Sequence, residues 1–160
     1  RMPGDWRDVE ALAWLDTPRA HATLARLVDD GPVALQLAVL QYRSTPLPQA
    51  QRSRILVRAL AEADFYAGLT QALDRATVFP PAPVVEGLWR GLATRDGPVA
   101  VHFAATLFFV HGLSRSRFDW AERPFFLRFH CERGAARDAA IAALRERVAA
   151  GPAEPGACDK

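Results

Sequence analysis

Apolar positions recur along this chain with the three-to-four residue spacing of helices, and no stretch alternates with the period of two that marks a strand. Asp5 opens the series. It stands ahead of Val9, Leu12 and Leu15, which share one helical face, and caps a predicted first helix that ends near Asp16. Thr17-Pro18 supplies an N-cap and a first-position proline for a second helix over 18–29. The pentapeptide Asp-Gly-Pro-Val-Ala at 30–34 then stops that helix and starts a third, 32–43: Asp30 is expected to cap, Gly31 to turn and Pro32 to begin the new helix. The same five residues return at 96–100, 66 positions later, ahead of another apolar run that Gly112 closes.

Between the two copies, Ile55, Leu56, Ala59 and Leu60 mark a fourth helix ending near Ala63, and Asp64 is expected to cap a fifth that carries Tyr66, Leu69 and Leu73. A proline-rich bridge at 79–83 leads into a sixth with Val85, Leu88, Trp89 and Leu92, and the second pentapeptide opens the seventh. Residues 113–131 lose the pattern yet hold Phe118, Trp120, Phe125, Phe126 and Phe129, a density of aromatics foreign to linkers, so the segment is expected to fold back on the preceding helices. A last helix over 134–149 puts Ile141, Leu144 and Val148 on one stripe, and 150–160 reads as a disordered tail. The fold class is therefore all-α, with one domain over 1–149.

Composition narrows the function classes. Half of the 160 residues are hydrophobic and 24% are charged, which is the balance of a globular domain. Twenty basic residues against 18 acidic ones leave a net charge of +2, too little to mark a dedicated nucleic-acid binder, although a local patch stays open. Cys131 and Cys158 form no C-x-x-C pair, so neither a disulfide framework nor a zinc site is suggested and a reducing cytoplasm is the default. The amino-terminal stretch lacks the basic and apolar regions of a signal peptide, and the run 99–110 falls short of the roughly 18 to 20 residues that span a bilayer.

Short helices joined by a tight Asp-Gly-Pro turn, recurring at about half of 66 residues, are the sequence mark of a helical solenoid in which no pair can bury its apolar face alone. The stretch Leu12 to Tyr42 resembles a bacterial HEAT-like, armadillo-type repeat: Leu15-Asp16-Thr17-Pro18 leads in, 18–29 is the first helix and 32–43 the second, and 83–94 with 98–111 repeat the pair. The resemblance implies a short right-handed α-solenoid of about three helical pairs, followed by the aromatic-rich segment and the last helix. On that register the first helix is half of a pair, the reading of a chain excised from a longer one. One departure stands out. The family usually places Arg after the Val of the turn, whereas this chain has Ala34 and Ala100. The segment RFDWAERPFFLRF also looks like an end segment of uncharacterised bacterial HEAT-like proteins.

No catalytic constellation emerges. His102 and His111 are nine residues apart on one helix, about 180° around it, and cannot face one ion together. Asp119 with Glu122 among aromatics invites acid/base work, but Asp119 as a turn cap is the simpler reading. No nucleophile elbow, phosphate loop or H-E-x-x-H is present. Neither enzyme activity, nor a cofactor, nor a metal is expected. The expected role is binding another protein on a curved face, as an immunity or adaptor protein facing a toxin or effector. In such repeats the second helices commonly supply that face, which selects Gln36, Gln41 and Arg43 on the third helix and His102, Thr106 and His111 on the seventh, with Arg123 and Arg128 from the basic aromatic segment. A rival reading takes Trp120, Asp119 and the nearby arginines as the groove of a DNA-binding or base-excising protein similar to the HEAT-like alkylpurine DNA glycosylases. A third is the chromophore-lyase branch of related repeats.

Overall fold

The computed structural model describes residues 3–43 and 46–151, and every regular element among them is helical. The chain divides into two compact units, Arg1–Arg75 and Ala76–Lys160.

The N-terminal unit holds α1 (Trp6–Trp14), α2 (Pro18–Asp30), α3 (Val33–Tyr42), α4 (Gln49–Glu62), a wide turn at Phe65–Leu69 and the start of α5 (Thr70–Val78). Two starts follow the sequence closely. Asp5 accepts from the backbone N–H groups of Arg7 and Asp8 at 2.8 and 3.3 Å, and Thr17 Oγ1 accepts from Ala20 N at 3.2 Å, so each helix has an orphan donor met by its cap. α3 is apolar all round, and a helix of that kind must be covered on every side. Most of it is: Leu35 to Val39 are five consecutive buried residues, with α1, α2, α4 and the wide turn packed on it, while Ala34 and Gln41 stay exposed on the remaining face.

The first pentapeptide differs from expectation. α2 runs through Asp30, Gly31 is extended (φ −73°), and Pro32, not Asp30, holds the N-cap position of α3. The reason is a set of side chains that meets the last carbonyls of α2 and lets the helix continue. Gln36 Nε2 and Arg54 Nη2 both donate to Val28 O, at 2.9 and 3.0 Å, and Arg58 Nη1 donates to Gly31 O at 3.1 Å. Cationic donors at a helix C-terminus also suit the negative end of its dipole. The fifth helix likewise starts later than the sequence suggests. Gly68 takes φ +116° and breaks the helix between Asp64 and Thr70, leaving Phe65–Leu69 as a turn in which Ala67 N and Leu69 N both donate to Asp64 O.

The C-terminal unit holds the end of α5, then α6 (Ala82–Thr94), α7 (Gly97–Val110), a one-turn 3₁₀ segment (Trp120–Glu122), the short α8 (Arg123–Phe126), a second 3₁₀ turn (Leu127–Phe129) and α9 (Ala135–Ala150). α7 is its wrapped helix, buried continuously from Phe103 to Phe108. Gly91 of α6 lets α7 come close, since a Cβ there would lie 2.1 Å from Phe103 Cε1. The aromatic-rich segment does fold back: Phe125, Phe126 and Phe129 are buried and pack edge-on against one another and Phe108. At the second pentapeptide α7 begins with Gly97, and Asp96 holds the N-cap position without a side-chain cap bond. Of the tail expected over 150–160, Ala150 is the last residue of α9, and the residues beyond Gly151 lie outside the described residues.

Candidate functional site

The N-terminal unit has a groove of about 660 Å³ between the start of α1, one face of α3 and the Phe65–Leu69 turn. Its floor follows from helical spacing. Ala34, Ala38, Gln41 and Tyr42 recur on one face of α3, and the two alanines leave the space that longer side chains would take. Trp6 and Tyr42 form one wall, stacked with ring centroids 6.0 Å apart and planes 16° from parallel. The Arg7 guanidinium lies 4.8 Å from the centre of the Trp6 ring and donates to Asp5 Oδ2 at 3.2 Å, so cap, cation and two aromatic rings form one ordered run. The hydrogen bond from Arg7 N, followed by the other donors there, holds the Asp5 carboxyl below its ordinary range.

Tyr66 forms the opposite rim and is 97% exposed. Its backbone is nonetheless fixed. Gly68 has a conformation that side-chain-bearing residues rarely adopt, and a Cβ on it would meet Leu37 Cδ1 at 2.8 Å, so the turn sits hard on α3. Gln71, exposed like Gln41, completes the lining with a second free-standing amide.

In the C-terminal unit, aromatic rings and arginines interleave. Arg123 stands 5.5 Å from the ring of Trp120, which is 80% exposed, and Arg128 5.5 Å from that of Phe125. Asp119 caps the turn by accepting from Ala121 N at 3.0 Å, and Glu122 accepts from Arg147 Nη1 at 2.6 Å. A smaller hollow of about 510 Å³ is lined by Asp96, His130, Cys131 and Arg133 among others. Beside it, Arg137 is buried and donates to Leu92 O and Arg95 O at 3.2 Å each and to Cys131 O. Among the described residues no three His, Cys, Asp or Glu side chains gather as metal ligands would.

Of the residues selected from sequence, Gln41 alone lines the groove, while Arg43, half-buried, ends α3 with its N–H on Val39 O. Gln36 and Thr106 do not point outward. Both are buried: Gln36 bridges Val28 O and Arg58, and Thr106 Oγ1 donates to His102 O at 2.8 Å, because polar side chains on a helix face that neighbours cover have only internal partners. His102 and His111 go to different partners, Phe118 and Trp89, and burial lowers the pKa of each. Arg123 and Arg128 are exposed. Trp6, Ala34, Tyr66 and Gln71 escaped selection. The available signal was Gly68, two residues after Tyr66 in a supposed helix, and the alanine at position 34 where the repeat resemblance leads one to expect arginine.

No protein-family model matches the chain, and neither the curated proteins nor the solved structures contain a significant match. The class defined by fold and site is thus an all-helical protein with an open aromatic groove, and no helix of the described residues is long and apolar enough to cross a membrane.

Proposed function

We propose that this chain is a non-catalytic protein-interaction module, cytoplasmic, which takes a segment of a partner protein in the groove of its N-terminal unit. The observation that carries this reading is Tyr66: a tyrosine 97% exposed, on a turn pinned to α3, at the rim of a groove of about 660 Å³. Exposed aromatics on rigid backbone are the residues that anchor protein interfaces, because they bring contact area at little cost in side-chain freedom. The HEAT-like reading belongs to the same proposal and is supported by the helical pairs α2/α3 and α6/α7, each joined at an Asp-Gly-Pro turn. An immunity or adaptor role facing a toxin or effector fits a binder without reactive groups. The test is retention of a partner chain from a lysate of the parent organism on immobilised protein, with Tyr66→Ala alongside. A partner kept by the wild type and lost by the variant supports the reading; equal retention by both removes the groove from it.

The DNA-binding reading rests on one specific observation, the exposed Trp120 with Arg123 over its ring and Arg128 nearby in sequence. Titration with duplex DNA at two salt concentrations separates it, since phosphate-driven affinity falls steeply as salt rises.

A further inference from the structure

We propose that the groove of the N-terminal unit binds an uncharged, proline-rich segment in the extended polyproline conformation. The proposal rests on the interaction reading above and names the chemistry of its ligand. Charge comes first. Among the described residues Asp5 is the one acidic or basic side chain lining the groove, and its carboxylate already accepts from Arg7 N, Asp8 N and Arg7 Nη1. Nothing on the walls therefore calls for a charged ligand, and a salt bridge would have to displace that set of bonds.

Hydrogen-bonding character comes second. The groove is lined by Trp6, Tyr42, Tyr66, Gln41 and Gln71: the indole only donates, and the phenol and amide groups can donate as well as accept. A polyproline segment is the complementary partner: its carbonyls accept, it has no backbone N–H, and it makes no internal hydrogen bonds.

Shape and order come third. Prolyl rings pack on aromatic surfaces, and here Trp6 is held by stacking on Tyr42 while the Gly68 turn fixes the backbone that carries Tyr66, whose ring meets Phe65 edge-on. Host and ligand are thus both ordered before they meet, which reduces the entropy lost on binding. Ala34 is exposed on the floor, so the space above it is open; an arginine there would project into the groove without disturbing the core.

The probe is a decaproline peptide, titrated by calorimetry into the full chain, with a Gly-Ser peptide of equal length as control. Saturable binding of decaproline, absent for the control, is expected. Ala34→Arg should abolish it and Tyr66→Ala should weaken it by roughly tenfold or more, both proteins keeping the wild-type circular dichroism because positions 34 and 66 are exposed. No binding at about 1 mM decaproline, or equal binding by wild type and both variants, overturns the proposal. The two readings fail differently. A partner chain that wild type retains, Tyr66→Ala loses and decaproline does not displace would keep the interaction reading and sink the proline assignment.

Discussion

The two Asp-Gly-Pro-Val-Ala junctions share five residues and are built differently. At 30–34 the preceding helix α2 runs through the aspartate, and its last carbonyls are met by Gln36 and by Arg54 and Arg58 of α4, whose side chains are 54% and 41% exposed. At 96–100 the preceding helix α6 stops at Thr94, and the carbonyls of Leu92 and Arg95 are met by Arg137 of α9, which is 1% exposed. The glycines differ too. Gly31 makes room for Leu27 O of its own chain turn, whereas Gly97 makes room for the His130–Cys131 backbone, which approaches from a distant segment. A short motif therefore guarantees a helix-to-helix turn and little else; how the preceding helix ends goes with which arginine reaches its orphan carbonyls.

The strongest way to break this contrast is to remove the arginines. Arg137→Met removes the guanidinium that donates to three buried or half-buried carbonyls and should destabilise the protein by about 3–5 kcal/mol in urea unfolding, while Arg58→Ala should cost about 1 kcal/mol, since water can replace a half-exposed donor. Equal losses would mean that burial does not separate the two junctions. Next comes Gly91→Ala, expected to cost roughly 2–3 kcal/mol because its Cβ would overlap Phe103, with partial recovery in the double variant carrying Phe103→Leu.

The junction glycines sharpen the contrast further. Gly31→Ala places a Cβ 2.4 Å from Leu27 O, and Gly97→Ala one 2.9 Å from Cys131 O, so the first should lower stability by about 1–2 kcal/mol and the second by less, read as shifts in denaturation midpoint. Gly97→Ala should in addition alter the reactivity of the Cys131 thiol toward a maleimide; Gly31→Ala should not. The smallest effect is that of pH. Burial lowers the pKa of His102 and His111 from the ordinary 6.5, so the folded chain binds those protons more weakly than the unfolded one. Their contribution to stability is complete above about pH 6.5 and declines as acid is added. Melting temperature should fall between about pH 7.5 and 5.5, and His102→Gln with His111→Gln should flatten that slope.

The helices were legible because their signals are local. Asp5 and Thr17-Pro18 act on backbone groups two or three residues away, so their starts could be read without knowing what packs where. The candidate site was much less so. A Gln in the apolar run of α3 looks like an outward residue of its helix, and Gln41 is one, but Gln36 lies on a face that neighbouring helices cover and becomes an internal brace. Tyr66 was hidden by the opposite error, a helical period continued through Gly68 when the glycine was there to break it. Arg137 stood among five other arginines in 115–137, and nothing in its neighbours distinguishes the one that is buried.

Arg137 also bears on the order in which the C-terminal unit forms. Its guanidinium joins Leu92, 45 positions earlier, to Cys131 and to α9, so one planar group closes a long loop. While the ribosome has delivered α6 and α7 but not α9, the end of α6 lacks the guanidinium that ties it to Cys131, and α6 and α7 hold only each other. Assembly should therefore wait for the last helix and then finish in one cooperative step, with no long-lived intermediate between.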